Sequence, residues 1–340
     1  MRSKGPTRTS RALPRRFRRA RLLIMGCGDV GLRLSALLAG RVTVVASSRR
    51  PEQRARIRAL GATPVDPTPG RRLAALARWQ VYLIPPPRDG DDDPLLARHL
   101  AARLGRPPAG PPSLSLGHPG GGRSVQSLSR PDPRPSARIV YASTTGVFGD
   151  ARGARLTETS PAQPDSDRAI RRLAAERALR AACLPRSGPG TALRASILRV
   201  PGIYAHDRLP LERLRRGLPC LTEADDGYSN HIHADDLARA LWLSLMRAPT
   251  ARLYIASDGH DMKMGDYFTR VARATGLPVP PRLPAAEVRR QVSPMMWSFM
   301  RESRRLDNKR LLRELRLRLQ YPSIDHTLAG LPEPDAAAAS

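Results

Sequence analysis

The chain has 340 residues, 41% of them hydrophobic, which is enough for one large or two ordinary domains with a buried core and excludes a wholly disordered polypeptide. Lys+Arg 58 against Asp+Glu 30 gives a net charge of +28, but all except Lys4, Lys263 and Lys309 are Arg, spread along a chain that also carries 34 Pro. That spread marks a compositional bias and argues against a nucleic-acid partner, and the lack of any run of about 18 apolar residues excludes an ordinary membrane-spanning helix.

Residues 1–20 are basic, free of acids and without the apolar stretch of a secretion signal. They fit a disordered extension, a transit peptide or a misplaced start, and the disordered extension is the expectation. Leu22-Leu23-Ile24-Met25 is a short apolar run followed by glycines and an amphipathic stretch, Val30 to Ala39, closed by Gly40. Val42 to Ala46 is β-branched and reads as a second strand, and Pro51 opens a helix that Gly61 stops near Leu60. Thr63-Pro64-Val65 predicts a third strand, Leu73 to Arg78 a short helix, and Val81 to Ile84 a fourth strand ended by Pro85-Pro86-Pro87. Repeated β-α units with nearly continuous apolar strands predict a parallel sheet covered on both faces.

From Gly105 to Pro135 the pattern gives way to Pro, Gly and Ser, so 105–135 is expected to be a flexible insertion. Pattern returns with strands at Ile139 to Ala142, Ala195 to Val200 and Leu253 to Ala256, and with helices at Arg168 to Ala182 and Asp235 to Arg247. After Asp258 the chain reads as mostly helical, with a basic helix around Asn308 to Arg318 and a polar tail over 329–340. Cys27, Cys183 and Cys220 are odd in number and far apart, which fits neither a disulfide framework nor a zinc site and points to a reducing cytoplasm.

Gly26-Cys27-Gly28-Asp29-Val30-Gly31 is a G-x-G-x-x-G in the first strand-to-helix turn. A dinucleotide needs this arrangement because a tight turn and a missing side chain let its pyrophosphate reach backbone N–H groups at a helix N-terminus. The second strand ends Ser47-Ser48-Arg49-Arg50, and no acid occurs from Leu32 to Pro51. A carboxylate that would hold the ribose 2′-OH of NAD is missing, and Arg49 suits a 2′-phosphate, so NADP(H) is expected over NAD(H).

Six segments, in order, then resemble the short-chain dehydrogenase/reductase superfamily, specifically its extended and atypical NAD-dependent epimerase/dehydratase members. They are the glycine motif, Val140 to Gly149, Thr157-Glu158-Thr159-Ser160-Pro161, Ala175 to Leu179, Leu198 to Tyr204 and Asn230 to Ala238, and they span about residues 21 to 260. The resemblance implies that Thr144, with Ser143 adjacent, meets the reacting hydroxyl or carbonyl; a turn in which both merely satisfy backbone groups is the alternative. It adds Asp29, Val30, Ser48, Asp66, Pro85, Pro201 and Ile203 to the cofactor contacts, and Arg199, Tyr204, Asn230 and His233 to the substrate side.

The family's Tyr-x-x-x-Lys pair is absent. Alignment places Arg168 at the Tyr position and Arg172 at the Lys position, where Arg172 can hold a ribose but Arg168 cannot serve as an acid or base. Both Arg residues equally suit a solvent-facing helical surface. Asp92 or Asp93 matches a family acid at the start of the following helix and equally suits a helix cap before Pro94. His231-x-His233 with Asp235 and Asp236 suggests a metal at first glance, but no metal is expected there.

The expected fold is α/β, a doubly wound parallel sheet (Rossmann) over 21–200 plus 230–258, with a small, mainly helical substrate lobe from 201–229 plus 259–328. The expected function is an NADP(H)-binding oxidoreductase or epimerase/dehydratase-like enzyme acting on a hydroxyl or carbonyl of a small metabolite, with a sugar nucleotide as one option. A non-catalytic NADP(H)-binding sensor is the alternative. The expected partners are a small-molecule substrate and, as an option, a second copy in a homodimer, with no nucleic acid and no membrane.

Overall fold

The computed structural model describes residues 20–68, 71–104, 137–184 and 193–331. The insertion expected at 105–135, the extension up to residue 19 and the tail from 332 lie outside the described residues.

The first half alternates β1 (Arg21–Met25), α1 (Asp29–Leu37), β2 (Thr43–Ser47), α2 (Pro51–Ala59), β3 (Thr63–Val65), α3 (Arg71–Ala75), β4 (Trp79–Tyr82) and α4 (Pro94–Leu104). Next come β5 (Ala137–Thr144), β6 (Arg155–Leu156), α5 (Asp167–Ala182), β7 (Leu193–Val200), β8 (Gly202–Tyr204), α6 (Leu211–Arg215), β9 (Cys220–Leu221), β10 (Tyr228–Ser229), β11 (His231–His233), α7 (Ala234–Arg247) and β12 (Arg252–Ile255). The remainder is β13 (Met262–Lys263), α8 (Met264–Ala274), β14 (Arg282–Leu283), α9 (Ala285–Gln291), α10 (Pro294–Met300), β15 (Arg305–Leu306), α11 (Lys309–Leu315) and α12 (Ile324–Leu328).

Seven strands form one sheet in the order β3-β2-β1-β4-β5-β7-β12, every pair parallel. Right-handed crossovers place helices on both faces of such a sheet, and the order reverses between β1 and β4, which opens a crevice at the carboxyl ends of those strands. Alternation along β1 builds the two cores. Leu22 and Ile24 join Val140, Leu198, Leu237 and Leu241 on one face, while Leu23 and Met25 join Leu96, Tyr141, Leu179 and Ile197 on the other. Thus α1 and α7 cover the first face, and α4 and α5 the second.

β5 and β7 run beyond their apolar stretches. Both lie inside the sheet, so backbone pairing from Ala137↔Leu193 to Thr144↔Val200 continues through Arg138, Ser143 and Arg199 regardless of side-chain polarity. This pairing carries Ser143, Thr144 and Arg199 to the sheet's carboxyl edge.

Beyond the sheet, α6, α8 and α12 gather Leu214, Phe268, Val271 and Ile324, and α9 and α10 gather Val288, Val292 and Met300 with Leu221. Parallel pairing of β8 with β11 and antiparallel pairing of β10 with β13 tie these helices to the sheet domain. One segment differs from expectation. Helix α11, read as part of the lobe, buries Leu311 and Leu315 in the core shared with α7, and Glu314 clamps Arg252 at the sheet's edge strand, accepting from its Nε at 2.9 Å. Its two leucines stand four apart on one apolar stripe, which the surrounding Arg residues obscure in the sequence. Among the described residues no helix is long and apolar enough to cross a membrane.

Candidate active site at the glycine turn

The glycine turn is held from behind. The Gly26 N–H donates to Ser47 Oγ at 2.9 Å, Cys27 N–H to the Ser47 carbonyl at 2.8 Å, and Gln53 Nε2 to the Cys27 carbonyl at 2.8 Å. Gly26 has φ 81°, and a Cβ there would stand 2.7 Å from Ile84 Cγ1, so the start of the turn closes against the exit of β4. A Cβ on Gly31 would meet Cys27 Sγ at 3.0 Å, which fixes how closely α1 packs on β1. A Cβ on Gly28 meets nothing within 4 Å. The three glycines therefore divide into a turn, an open approach and a packing contact, as a bound pyrophosphate requires.

Asp29 opens α1. Burial alone would raise its carboxyl, but hydrogen bonds from Arg33 Nε (3.1 Å) and Arg208 Nη1 (2.9 Å) outweigh that and hold it below the usual carboxylate range. Arg33 also donates to Asp235 at 2.9 Å and to Asp207, tying the turn to α7 and to the loop after β8. Buried Cys27 has its thiol pushed up to about 11 by desolvation, so it stays protonated and unreactive.

From this turn a cleft of about 610 Å³ runs along the carboxyl edge of the sheet to the helices beyond it. Gly26, Gly28, Asp29, Val30 and Gly31 border one end; Ser143, Thr144, Arg168 and Arg172 border the middle; Pro201, Ile203 and Asn230 border the far wall. The two hydroxyls differ. Ser143 Oγ donates to Glu176 Oε1 at 2.6 Å and is thereby committed, whereas Thr144 Oγ1 accepts from Gly146 N–H at 3.2 Å and keeps its own proton to give.

Arg172 Nη1 donates to the Ala142 carbonyl at 2.8 Å and to the Tyr141 hydroxyl at 3.1 Å, which anchors the guanidinium at the cleft wall. Tyr141 itself is buried, with its hydroxyl pushed up to about 12 by desolvation, and does not border the cleft. Arg168 lies 4.5 Å over the Phe299 ring, and burial lowers its guanidinium from the usual value.

Several singled-out residues stand elsewhere. Ser48 and Arg49 leave β2 beside the end of β3, where the Ser48 N–H meets the Val65 carbonyl at 3.3 Å. Asp66 follows there, exposed, its carboxylate held low by hydrogen bonds from Thr68, with Arg54 and Arg49 adding attraction. These three share the carboxyl edge with the glycine turn but do not line the cleft, and Pro85 also lies outside it.

Three substrate expectations meet a different placement. Arg199 is 4% exposed and bound to Glu176 through Nε (3.1 Å) and Nη2 (2.8 Å). Tyr204 is buried, its hydroxyl 3.2 Å from the Tyr321 carbonyl. His233 is buried too: it caps α7 by accepting from the Asp235 N–H at 3.2 Å and stacks on Tyr321 at 3.6 Å. None of the three reaches the cleft. Asp93 is 4% exposed and caps α4 through the Leu96 N–H at 3.0 Å, with burial raising its carboxyl.

The cleft also recruits residues to which no site role was expected, His231 among them although it lies in the Asn230 to Ala238 segment. Tyr228 and His231 enter from β10 and β11, Tyr267 from α8, and Phe299 and Glu302 from α10 and its exit. His231 stacks on Tyr267 at 4.3 Å, and burial pushes it down to about 4, so it is neutral at pH 7. The carboxyl of Glu302 is raised by burial, although Arg304 pairs with it. Among the described residues no group of three His, Cys, Asp or Glu side chains is placed to hold a metal ion.

No family model matches the chain. A 158-residue stretch is 32% identical to 2′-dehydrokanamycin reductase of Streptomyces kanamyceticus, covering 42% of this chain and only 43% of that relative. Over whole structures, a functionally unknown conserved protein from Silicibacter pomeroyi superposes with a TM-score of 0.72 at 27% identity, covering 91% of this chain and 97% of the other. UDP-glucuronic acid 4-epimerase from Bacillus cereus, solved in complex with NAD, superposes with a TM-score of 0.63 at 13% identity over 91% and 96% of the two chains. By the seven-stranded parallel sheet, its strand order and these likenesses, the chain has the fold of the NAD-dependent epimerase/dehydratase proteins of the extended short-chain dehydrogenase/reductase superfamily.

Proposed function

We propose that the chain is an NADP(H)-dependent oxidoreductase that reduces a carbonyl, or oxidises the matching hydroxyl, on a small polar metabolite. The observation that carries this reading is the continuity of one cleft from the open face of Gly28 to the free proton of Thr144. An open glycine flanked by two closed ones fits a pyrophosphate over the first N–H groups of α1. Arg49 and Arg54 around the single carboxylate of Asp66 leave an excess of positive charge where a 2′-phosphate would sit. The cofactor would supply or accept the hydride.

The chain's own residues would then do three things. Arg172, fixed on the Ala142 carbonyl, positions the nicotinamide ribose. Thr144 donates to the reacting oxygen, and the Arg168 cation steadies the negative charge that develops there. Tyr228, His231 and Glu302 ring the substrate end and offer the protic groups that the missing tyrosine would have supplied. The likeness to 2′-dehydrokanamycin reductase supports reduction, and the likeness to a UDP-glucuronic acid epimerase supports a sugar nucleotide as the second substrate class.

A cofactor-binding sensor that never turns over is the second reading: the alignment expected from the sequence puts Arg168, which cannot act as an acid or base, where the family keeps its tyrosine. The deciding experiment is a panel of keto sugars, amino sugars and sugar nucleotides followed by absorbance of the reduced nicotinamide. Turnover lost in Thr144→Val supports the enzyme. Tight NADPH binding without turnover on any of them supports the sensor, and failure to bind either nicotinamide cofactor removes both readings.

A further inference from the structure

A second cavity of about 540 Å³ lies outside the cofactor cleft, between α5, the β12 edge and the loop after β6. Arg177, Arg180, Arg199, Arg252 and Arg310 line it, against two carboxylates, Glu158 and Glu176. Both carboxylates are occupied. Glu176 holds Arg199, and Glu158 accepts from the Ile255 N–H at 3.2 Å and faces Arg310 at 3.5 Å. Arg252 is taken by Glu314.

The remaining cations are left over. Arg177 and Arg180, three apart on the exposed side of α5, have no side-chain partner among the described residues. Arg199 is 4% exposed and uses Nε and Nη2 on Glu176, yet its Nη1 has no hydrogen-bond partner. A buried guanidinium nitrogen without an acceptor is unfavourable, and the cost disappears when an acceptor arrives. Thr159 and Ser160 add hydroxyls to the same wall.

We propose that this cavity is a second binding site, for a phosphate-bearing small molecule, separate from the glycine turn. Its volume suits a metabolite-sized ligand, and paired guanidinium forks match the oxygens of a phosphate group. Arg177 and Arg180 would clamp the outer oxygens, with Arg199 Nη1 as the deep donor. The Arg bias is not confined to this wall: Arg289 and Arg290, equally exposed on α9, line neither this cavity nor the cleft at the glycine turn.

The test is calorimetric titration of inorganic pyrophosphate into the full chain and three variants. Arg177→Ala/Arg180→Ala removes two clamps, Arg289→Ala/Arg290→Ala removes equal charge elsewhere, and Gly28→Val blocks the glycine turn. The expected result is saturable binding that weakens roughly tenfold or more only in the first variant, persists in Gly28→Val, and falls steeply with salt. Binding lost in Gly28→Val and retained in Arg177→Ala/Arg180→Ala would place pyrophosphate in the cofactor cleft and overturn the proposal. Equal weakening in both Arg double variants would reduce it to attraction by net charge, and no saturable binding in any form also overturns it. Because the readout needs neither NADPH nor turnover, it stands or fails apart from the oxidoreductase reading.

Discussion

Ser143 Oγ donates to Glu176 Oε1 across 2.6 Å, and the same carboxylate grips Arg199 through two further bonds, so a strand, a helix and the next strand share one buried anion. Glu176 is 2% exposed. Removing it leaves Arg199 as an uncompensated buried charge, and Glu176→Ala is expected to cost about 3–5 kcal/mol of stability. Urea denaturation measures this directly. A loss under about 1 kcal/mol would mean that water reaches the guanidinium and replaces the carboxylate.

Thr144 and Ser143 should separate cleanly. Thr144→Val keeps the shape and removes the proton that faces the cleft, so NADPH affinity and melting temperature should hold while turnover on any active substrate falls roughly 10²-fold or more. Ser143→Ala should do the reverse, lowering stability by about 1–3 kcal/mol through the lost hydrogen bond to the Glu176 carboxylate, whose Oε1 keeps only Arg199 Nε, and leaving turnover close to wild type. Steady-state kinetics beside thermal melts decide the pair. Identical effects in both variants would sink the assignment of Thr144 as the reacting hydroxyl.

The glycines make a second contrast. Gly28→Val enters open space and should leave the melt unchanged while abolishing NADPH binding. Gly26→Ala combines φ 81° with a Cβ 2.7 Å from Ile84 Cγ1 and should destabilise the fold by about 2 kcal/mol or more. Cofactor fluorescence and circular dichroism report the two quantities separately. In the same titration NADPH should bind more tightly than NADH, and Arg49→Glu should erode the difference by placing like charge beside the 2′-phosphate. Equal affinities in the wild type would remove Arg49 from the cofactor site.

Local signals explain what was legible in the sequence. The parallel sheet follows from β-α repetition, Gly26 and Gly28 stand out by their spacing in a strand-to-helix turn, and Thr144, Arg168 and Arg172, which border the cleft, are reached only through the family resemblance. Tyr204 and His233 could not be placed. They are register partners in the β8-β11 pair, two residues beyond Gly202 and His231, which border the cleft. That short step along a strand carries the pair beneath Tyr321, and only the tertiary fold decides where the cleft wall ends. Phe299 and Glu302 were hidden for another reason. They reach Arg168 from about 130 residues away, on a helix whose apolar positions read as ordinary core.

The buried ionisable groups give opposing pH signatures. Burial pushes His99 down to about 4 from 6.5, and Gln80 Oε1, 2.7 Å from its Nε2, requires the neutral ring to donate because Gln80 Nε2 already serves the Ala74 and Ala77 carbonyls. Between pH 4 and 6.5 the unfolded chain binds a proton at His99 that the folded chain refuses, so this residue makes stability rise with pH across that window and contributes no slope above it. Asp258 has the opposite sign. Desolvation raises its carboxyl to about 8 from 3.8, so between those values the folded chain holds a proton that the unfolded chain has lost. Its stabilisation is complete below pH 3.8 and declines by about 1.4 kcal/mol per pH unit until pH 8, where the folded carboxyl also ionises. Denaturation midpoints from pH 4 to 9 for wild type, His99→Gln and Asp258→Asn isolate each group by difference. Asp258→Asn should gain on the wild type steadily up to pH 8 and then run parallel to it, while His99→Gln should lose ground from pH 4 to 6.5 only. An Asp258→Asn curve parallel to wild type throughout would mean that Asp258 is ionised in the folded chain, with Tyr204 and the His260 N–H sufficient to hold the charge.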